Sequence, residues 1–135
     1  MLSTKTGSAL IVSSDAFAVV SFPEGDVPGA ERIPCGSLPL DRRTLLVPEA
    51  LVPQLPPGAQ VASGGWRRVE IFGPFASTEL LAATTSALAE VEIPAWVFSR
   101  AQGLWFFVPE QKLGRALAAL RQARLERFAQ NLRKR

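Results

Sequence analysis

Proline decides what the first half of this chain can become. Eight of the eleven prolines fall within the first 57 residues, at positions 23, 28, 34, 39, 48, 53, 56 and 57. A proline inside a helix removes a backbone donor and clashes with the preceding turn, at a cost of about 3 kcal/mol. The intervals between these prolines leave no room for a long helix, so strands and turns remain. Three apolar runs have strand length: Ala16 to Phe22, closed by Pro23-Glu24-Gly25; Thr44 to Val47; and Ala59 to Ala62.

The second half follows a different rhythm. Gly64-Gly65 reads as a turn, and from Trp66 to Phe72 Val69 and Ile71 alternate with Arg68 and Glu70, the period of a half-buried strand. Gly73-Pro74 ends it. Ser77 or a neighbour then offers an N-cap for a helix running to about Glu90, with Leu80, Leu81, Thr84, Leu88 and Val91 on one side and Glu79 in the first turn. Pro94 to Ser99 and Leu104 to Val108 flank Arg100-Ala101-Gln102-Gly103, a connection of hairpin length. Pro109 and Glu110 open a second helix, on which Leu113, Leu117, Leu120, Leu125, Phe128 and Leu132 form one apolar stripe.

This order, β-α-β-β-α, lacks the fourth strand that a ferredoxin-like sheet carries at its edge. An internal echo points to its origin. Leu45-Leu46-Val47-Pro48-Glu49 resembles Phe106-Phe107-Val108-Pro109-Glu110, 61 residues later. The expectation is an α+β protein of two tandem ferredoxin-like βαββαβ units, residues 1–64 and 65–135. The first has shortened helices, and antiparallel sheets are covered by helices on one face. The halves are expected to share a continuous or paired sheet.

The residue inventory restricts the chemistry. With no His, no Tyr and a single Cys in 135 residues, imidazole bases, phenol acids, His metal ligands and thiolate cages are excluded for the isolated chain. Cys35 has no activating neighbour in sequence and is assigned no chemistry. The expectation is a protein that is not an enzyme, with no catalytic residues, metal or cofactor. The early run Ala9-Leu10-Ile11-Val12 is too short for a signal h-region, which needs about 7 residues or more, and no run suits a membrane span. The expected location is cytoplasmic, with no membrane partner.

Charge is lopsided, since residues 111–135 carry +7 and residues 1–110 carry −4. A basic tail can neutralise phosphates, or simply complement the end of its own helix. Trp66, Trp96 and Trp105 sit among arginines, but the Arg/Lys-Gly-Phe type of run used by RNA-binding sheets is missing. Nucleic acid is therefore not the expected partner, and RNA binding through the basic helix stands as a minor alternative.

Three stretches carry a family resemblance: Gly65-Trp66-Arg67-Arg68-Val69-Glu70-Ile71-Phe72-Gly73-Pro74; Leu88-Ala89-Glu90-Val91-Glu92-Ile93-Pro94; and Trp96-Val97-Phe98-Ser99 with Phe106-Phe107-Val108-Pro109-Glu110. In these the sequence resembles a family of paired ACT-like domains, similar to the regulatory domains of aspartate kinase and to amino-acid sensors built from them. The resemblance spans roughly residues 16–120. It implies a non-catalytic regulatory or sensor protein that binds an amino acid or related small carboxylate where domains meet, and that forms a homo-oligomer. The implied ligand-binding residues are Gly73, Pro74, Phe75, Ser77 and Thr78, in a loop leading into a helix N-terminus, together with Ser99 and Arg100. Ordinary capping by Ser77 and Thr78, and a solvated loop charge at Arg100, are the plain alternatives. Relatives tend to carry acidic residues where this chain has Ala76, Gln102 and Leu104. An α-ammonium group therefore has only Glu70, Glu79 or a residue from the first half to meet. A ligand-free interaction module of the same fold is the alternative.

Overall fold

The computed structural model describes residues 10–72, 78–100 and 103–123. Six strands are present: β1 (Leu10–Ser21), β2 (Leu38–Asp41), β3 (Thr44–Pro48), β4 (Gln60–Phe72), β5 (Trp96–Arg100) and β6 (Gly103–Pro109). Two α-helices join them, α1 (Thr78–Glu90) and α2 (Leu113–Gln122). In the proline-rich half the helices are reduced to short 3-10 segments, Ala30–Arg32 and Glu49–Gln54, the latter with Pro53 inside it.

The chain forms two compact units, one made of Asp15–Trp66 and the other of the remaining described residues. The sequence reading divides the chain at 64/65. In the structure the second unit also takes up the first residues of β1, through Ser14.

In the Asp15–Trp66 unit the lateral order is β2-β3-β1-β4. β1 and β3 are antiparallel, with Ala18 opposite Val47 and Val20 opposite Leu45, and β2 runs antiparallel to β3. Those four residues and Phe22 form the core, closed by Val27, Ile33, Leu51, Val52 and Leu55 from the turns and 3-10 segments rather than by helices. The alternate residues Phe17, Val19 and Leu46 are buried too, so both faces of this part of the sheet are covered. β2 has no counterpart in the sequence reading. It carries Pro39, which cannot donate to a ladder, and it lies at the edge of the sheet, the place that tolerates proline.

In the other unit the lateral order is β1-β4-β6-β5. β5 and β6 form the expected antiparallel hairpin, with Trp96 opposite Phe107 and Arg100 opposite Gly103. Val69 and Ile71 of β4, Leu104, Phe106 and Val108 of β6, Leu80 and Leu88 of α1, and Ala116 and Leu120 of α2 form a single core, joined by Leu10 at the start of β1. Leu113 and Leu117 pack against it, so the first half of the expected stripe docks; Leu125, Phe128 and Leu132 lie outside the described residues. α2 is preceded by a 3-10 turn, Glu110–Lys112, so Pro109 ends β6 and stands before that turn instead of starting the α-helix itself.

Each unit is thus a ferredoxin-like βαββαβ arrangement, but the fourth strand of each comes from the strand that opens the other. β1 passes from one unit to the other near Ser14, and β4 does so near Trp66. Two expectations are corrected by this. The strand expected from Ala16 begins at Leu10, because Ser13-Ser14-Asp15 stays extended although no core draws on it there. Gly64-Gly65 is not a turn but an irregularity within one continuous strand. Gly65 takes φ +70, its N–H is donated to Glu49 Oε2 at 2.7 Å, and a Cβ on Gly64 would lie 2.8 Å from the same oxygen.

Candidate functional site

The end of β4 and the tips of β5 and β6 enclose a cleft of about 260 Å³ lined by Glu70, Ile71, Phe72, Arg100, Gly103, Leu104 and Trp105. Strand alternation places its polar members. Val69, Ile71, Leu104 and Phe106 point into the core, so Arg68, Glu70 and Trp105 project from the opposite face, as does Arg100 across from Gly103. β6 lies between β4 and β5, so the Trp105 side chain stands between arginines from both neighbours. The guanidinium carbon of Arg68 is 4.5 Å from the ring centroid and that of Arg100 4.4 Å. Both distances are well inside the range of a cation–π contact.

Only one of the two cations has a carboxylate. Arg68 Nε lies 3.3 Å from Glu70 Oε2, and these side chains are only 23% and 15% exposed. Arg100 is exposed and meets no carboxylate among the described residues. Gly103 fixes the floor: its φ is +149, and a Cβ there would come within 2.0 Å of the Ile71 carbonyl oxygen, so only glycine lets β6 lie this close to β4.

The sequence-derived site residues are distributed unevenly about this cleft. Arg100 lines it. Ser99, one residue earlier, faces the other side of the sheet and is exposed; it pairs in register with Leu104. Thr78 opens α1 and is exposed. Gly73, Pro74, Phe75 and Ser77 lie outside the described residues, as do Ala76 and Gln102. Leu104 is fully buried in the core beneath the cleft. The sequence reading gives neither Trp105 nor Gly103 a place among the ligand-binding residues. Arg68 and Glu70, two apart on one strand, must share a face, and this was the available signal that they would pair.

Among the described residues no group of His, Cys, Asp and Glu could hold a metal ion, and no helix is long and apolar enough to cross a membrane. Free Cys35 is exposed.

Two units of this topology, with α1 and α2 backing one and 3-10 segments backing the other, define a protein of the paired ferredoxin-like class. Residues 61–122 match the model of an ACT domain. Solved structures agree with the fold along most of the chain. A protein of unknown function from Vibrio cholerae is 20% identical, with 85% of this chain and 88% of that one covered and a TM-score of 0.62. The regulatory subunit of aspartate kinase from Thermus thermophilus, in ligand-free form, is 18% identical over 84% of this chain and 95% of its own, with a TM-score of 0.60. That of Thermus flavus is 19% identical over 86% and 97%, with a TM-score of 0.59. At these identities the likeness is one of fold. No curated protein matches the sequence.

Proposed function

We propose that this protein is a non-catalytic regulatory module of the ACT class, working in the cytoplasm as at least a homodimer. Its ligand is an amino acid or a related small carboxylate held in the cleft beside the end of β4. The observation that carries the reading is Arg100: an exposed guanidinium, steadied on Trp105 at 4.4 Å, facing a cleft of about 260 Å³ with no carboxylate of the described residues to neutralise it. A planar guanidinium is the side chain best suited to grip a carboxylate with two hydrogen bonds. The ACT domain match and the likeness in fold to regulatory subunits of aspartate kinase support the regulatory part of the reading.

Thermal unfolding against a panel of amino acids and their deaminated carboxylates tests it. A ligand present at 100 times its Kd stabilises by about 2.7 kcal/mol, which several degrees of midpoint shift would reveal. At least one compound should raise the midpoint in the native chain and fail to do so in Arg100→Ala. A flat panel refutes the reading. Light scattering on a gel-filtration peak tests the dimer. The second reading, a ligand-free interaction module, is favoured by Trp96, a large apolar side chain left 36% exposed. It predicts that Trp96→Ala weakens self-association while the ligand panel stays flat.

A further inference from the structure

The charges at the cleft separate two ligand classes that the proposed function leaves together. Resting on that reading of the cleft, we propose that the ligand is a carboxylate with an apolar body and no α-ammonium group, of the 2-oxo or 2-hydroxy acid class rather than an amino acid.

A site for a zwitterionic amino acid must offer an anion to the ammonium as well as a cation to the carboxylate. The one carboxylate lining the cleft among the described residues is Glu70. Its charge is already met by Arg68 at 3.3 Å, with both side chains mostly buried. Arg68 is in turn held in place by stacking on Trp105. An ammonium brought to Glu70 would compete with a guanidinium already desolvated beside it, and it would approach a second one. Both guanidinium carbons lie within 4.5 Å of one ring centroid, so they are no more than twice that distance apart. Glu79, the other acid nearby in sequence, is exposed on α1 and does not line the cleft.

Counted together, Arg68, Glu70 and Arg100 carry a net charge of +1. A monocarboxylate balances it, whereas a zwitterion leaves it uncompensated and adds a like charge to the same small volume. Of the other lining residues, Ile71 and Leu104 turn their side chains into the core, which leaves the aromatic rings of Phe72 and Trp105 to suit a hydrocarbon or aryl body. Arg100 thus receives the carboxylate, the Arg68–Glu70 pair is a closed account of charge, and nothing in the described lining is left to hold an amine.

Calorimetric titration of the full chain with matched pairs tests this: leucine against 4-methyl-2-oxopentanoate, and phenylalanine against phenylpyruvate. In at least one pair the oxo acid should bind tenfold or more tighter than its amino acid, the scale of one unmatched charged hydrogen bond. Arg100→Gln, a change at an exposed position, should abolish binding while leaving the thermal midpoint unchanged. The double variant Arg68→Gln/Glu70→Gln, which removes the pair without stranding either charge, should retain the preference. An amino acid that binds as tightly as its oxo acid or more so, and is lost with the double variant, would overturn the class assignment while leaving the cleft reading intact. Binding of neither member of any pair, or binding indifferent to Arg100→Gln, would overturn both.

Discussion

Replacing Gly103 by alanine should be among the most damaging single-methyl changes this protein can suffer, and the size of the effect follows from one contact. The added Cβ would stand 2.0 Å from the Ile71 carbonyl oxygen. Ordinary carbon–oxygen approaches are about 3.3 Å, so β6 must retreat from β4 by well over an ångström. Hydrogen bonds do not survive such a stretch. Losing two of the ladder bonds between β4 and β6, which are neighbours in the sheet, costs about 1 kcal/mol each. Holding a non-glycine residue at φ +149 adds about 1 to 3 kcal/mol. The expected loss is therefore about 3 to 5 kcal/mol, equivalent to a midpoint lower by about 10 °C or more. Urea unfolding followed by tryptophan fluorescence measures it, provided the slope of the transition is unchanged. Gly114→Ala serves as the internal control. Gly114 lies early in α2 with nothing within 4 Å of its would-be Cβ, so the same substitution there should stabilise by about 0.5 kcal/mol. If Gly103→Ala were within 0.5 kcal/mol of the native chain, the close approach of the two strands would be refuted.

Two further outcomes are expected. Thr84 is fully buried in α1 and its hydroxyl has no hydrogen-bond partner, so Thr84→Val should leave stability unchanged or raise it by about 1 kcal/mol; a clear loss on chemical denaturation would show that the hydroxyl is satisfied. Asp41 ends β2 and accepts the Arg43 N–H at 2.8 Å; this bond, then one from Thr44, holds its carboxyl below the ordinary value of 3.8. A folded-state pKa below the unfolded one means that the contribution is complete above about pH 4 and lost as pH falls through the lowered value. Acid unfolding of Asp41→Asn should accordingly show a shallower slope below pH 4 than that of the native chain, and an identical slope would refute the turn geometry.

Much of the fold could be read from local pattern, because local pattern is what burial on one face imposes. The alternation of Val69 and Ile71 with Arg68 and Glu70, the helix from Thr78 to Glu90, and the β5–β6 hairpin all appear where the periodicity puts them. The repeated Val-Pro-Glu also has a structural meaning. Glu49 and Glu110 each begin a 3-10 segment after the third strand of a unit, and both reach β4, one accepting the Gly65 N–H and the other the Arg67 guanidinium. What escaped the sequence reading depends on distant partners. Gly64-Gly65 looks like a turn until Glu49, 16 residues away, is seen to fasten it within a strand. Proline at 39 hides an edge strand. The site is partly legible for the same reason. Arg100 can be picked out as a cation at a strand end, but its stacking on Trp105 against Arg68 requires the order of three strands, which no local window contains.

The exchange of fourth strands also sets the order in which the protein can be made. When the ribosome has released the first 59 residues, β1 to β3 are present, but the segment that completes their sheet, the start of β4, has yet to follow. The first residues of β1 wait longer still, with backbone donors and acceptors unpaired until the far half of β4 emerges and can accept them at the edge. Neither unit can be cut free at a boundary in the sequence without stripping an edge from the other. A gene fragment that encodes residues 65–135 alone would yield a sheet with one exposed side, prone to recruit a strand from a neighbouring molecule.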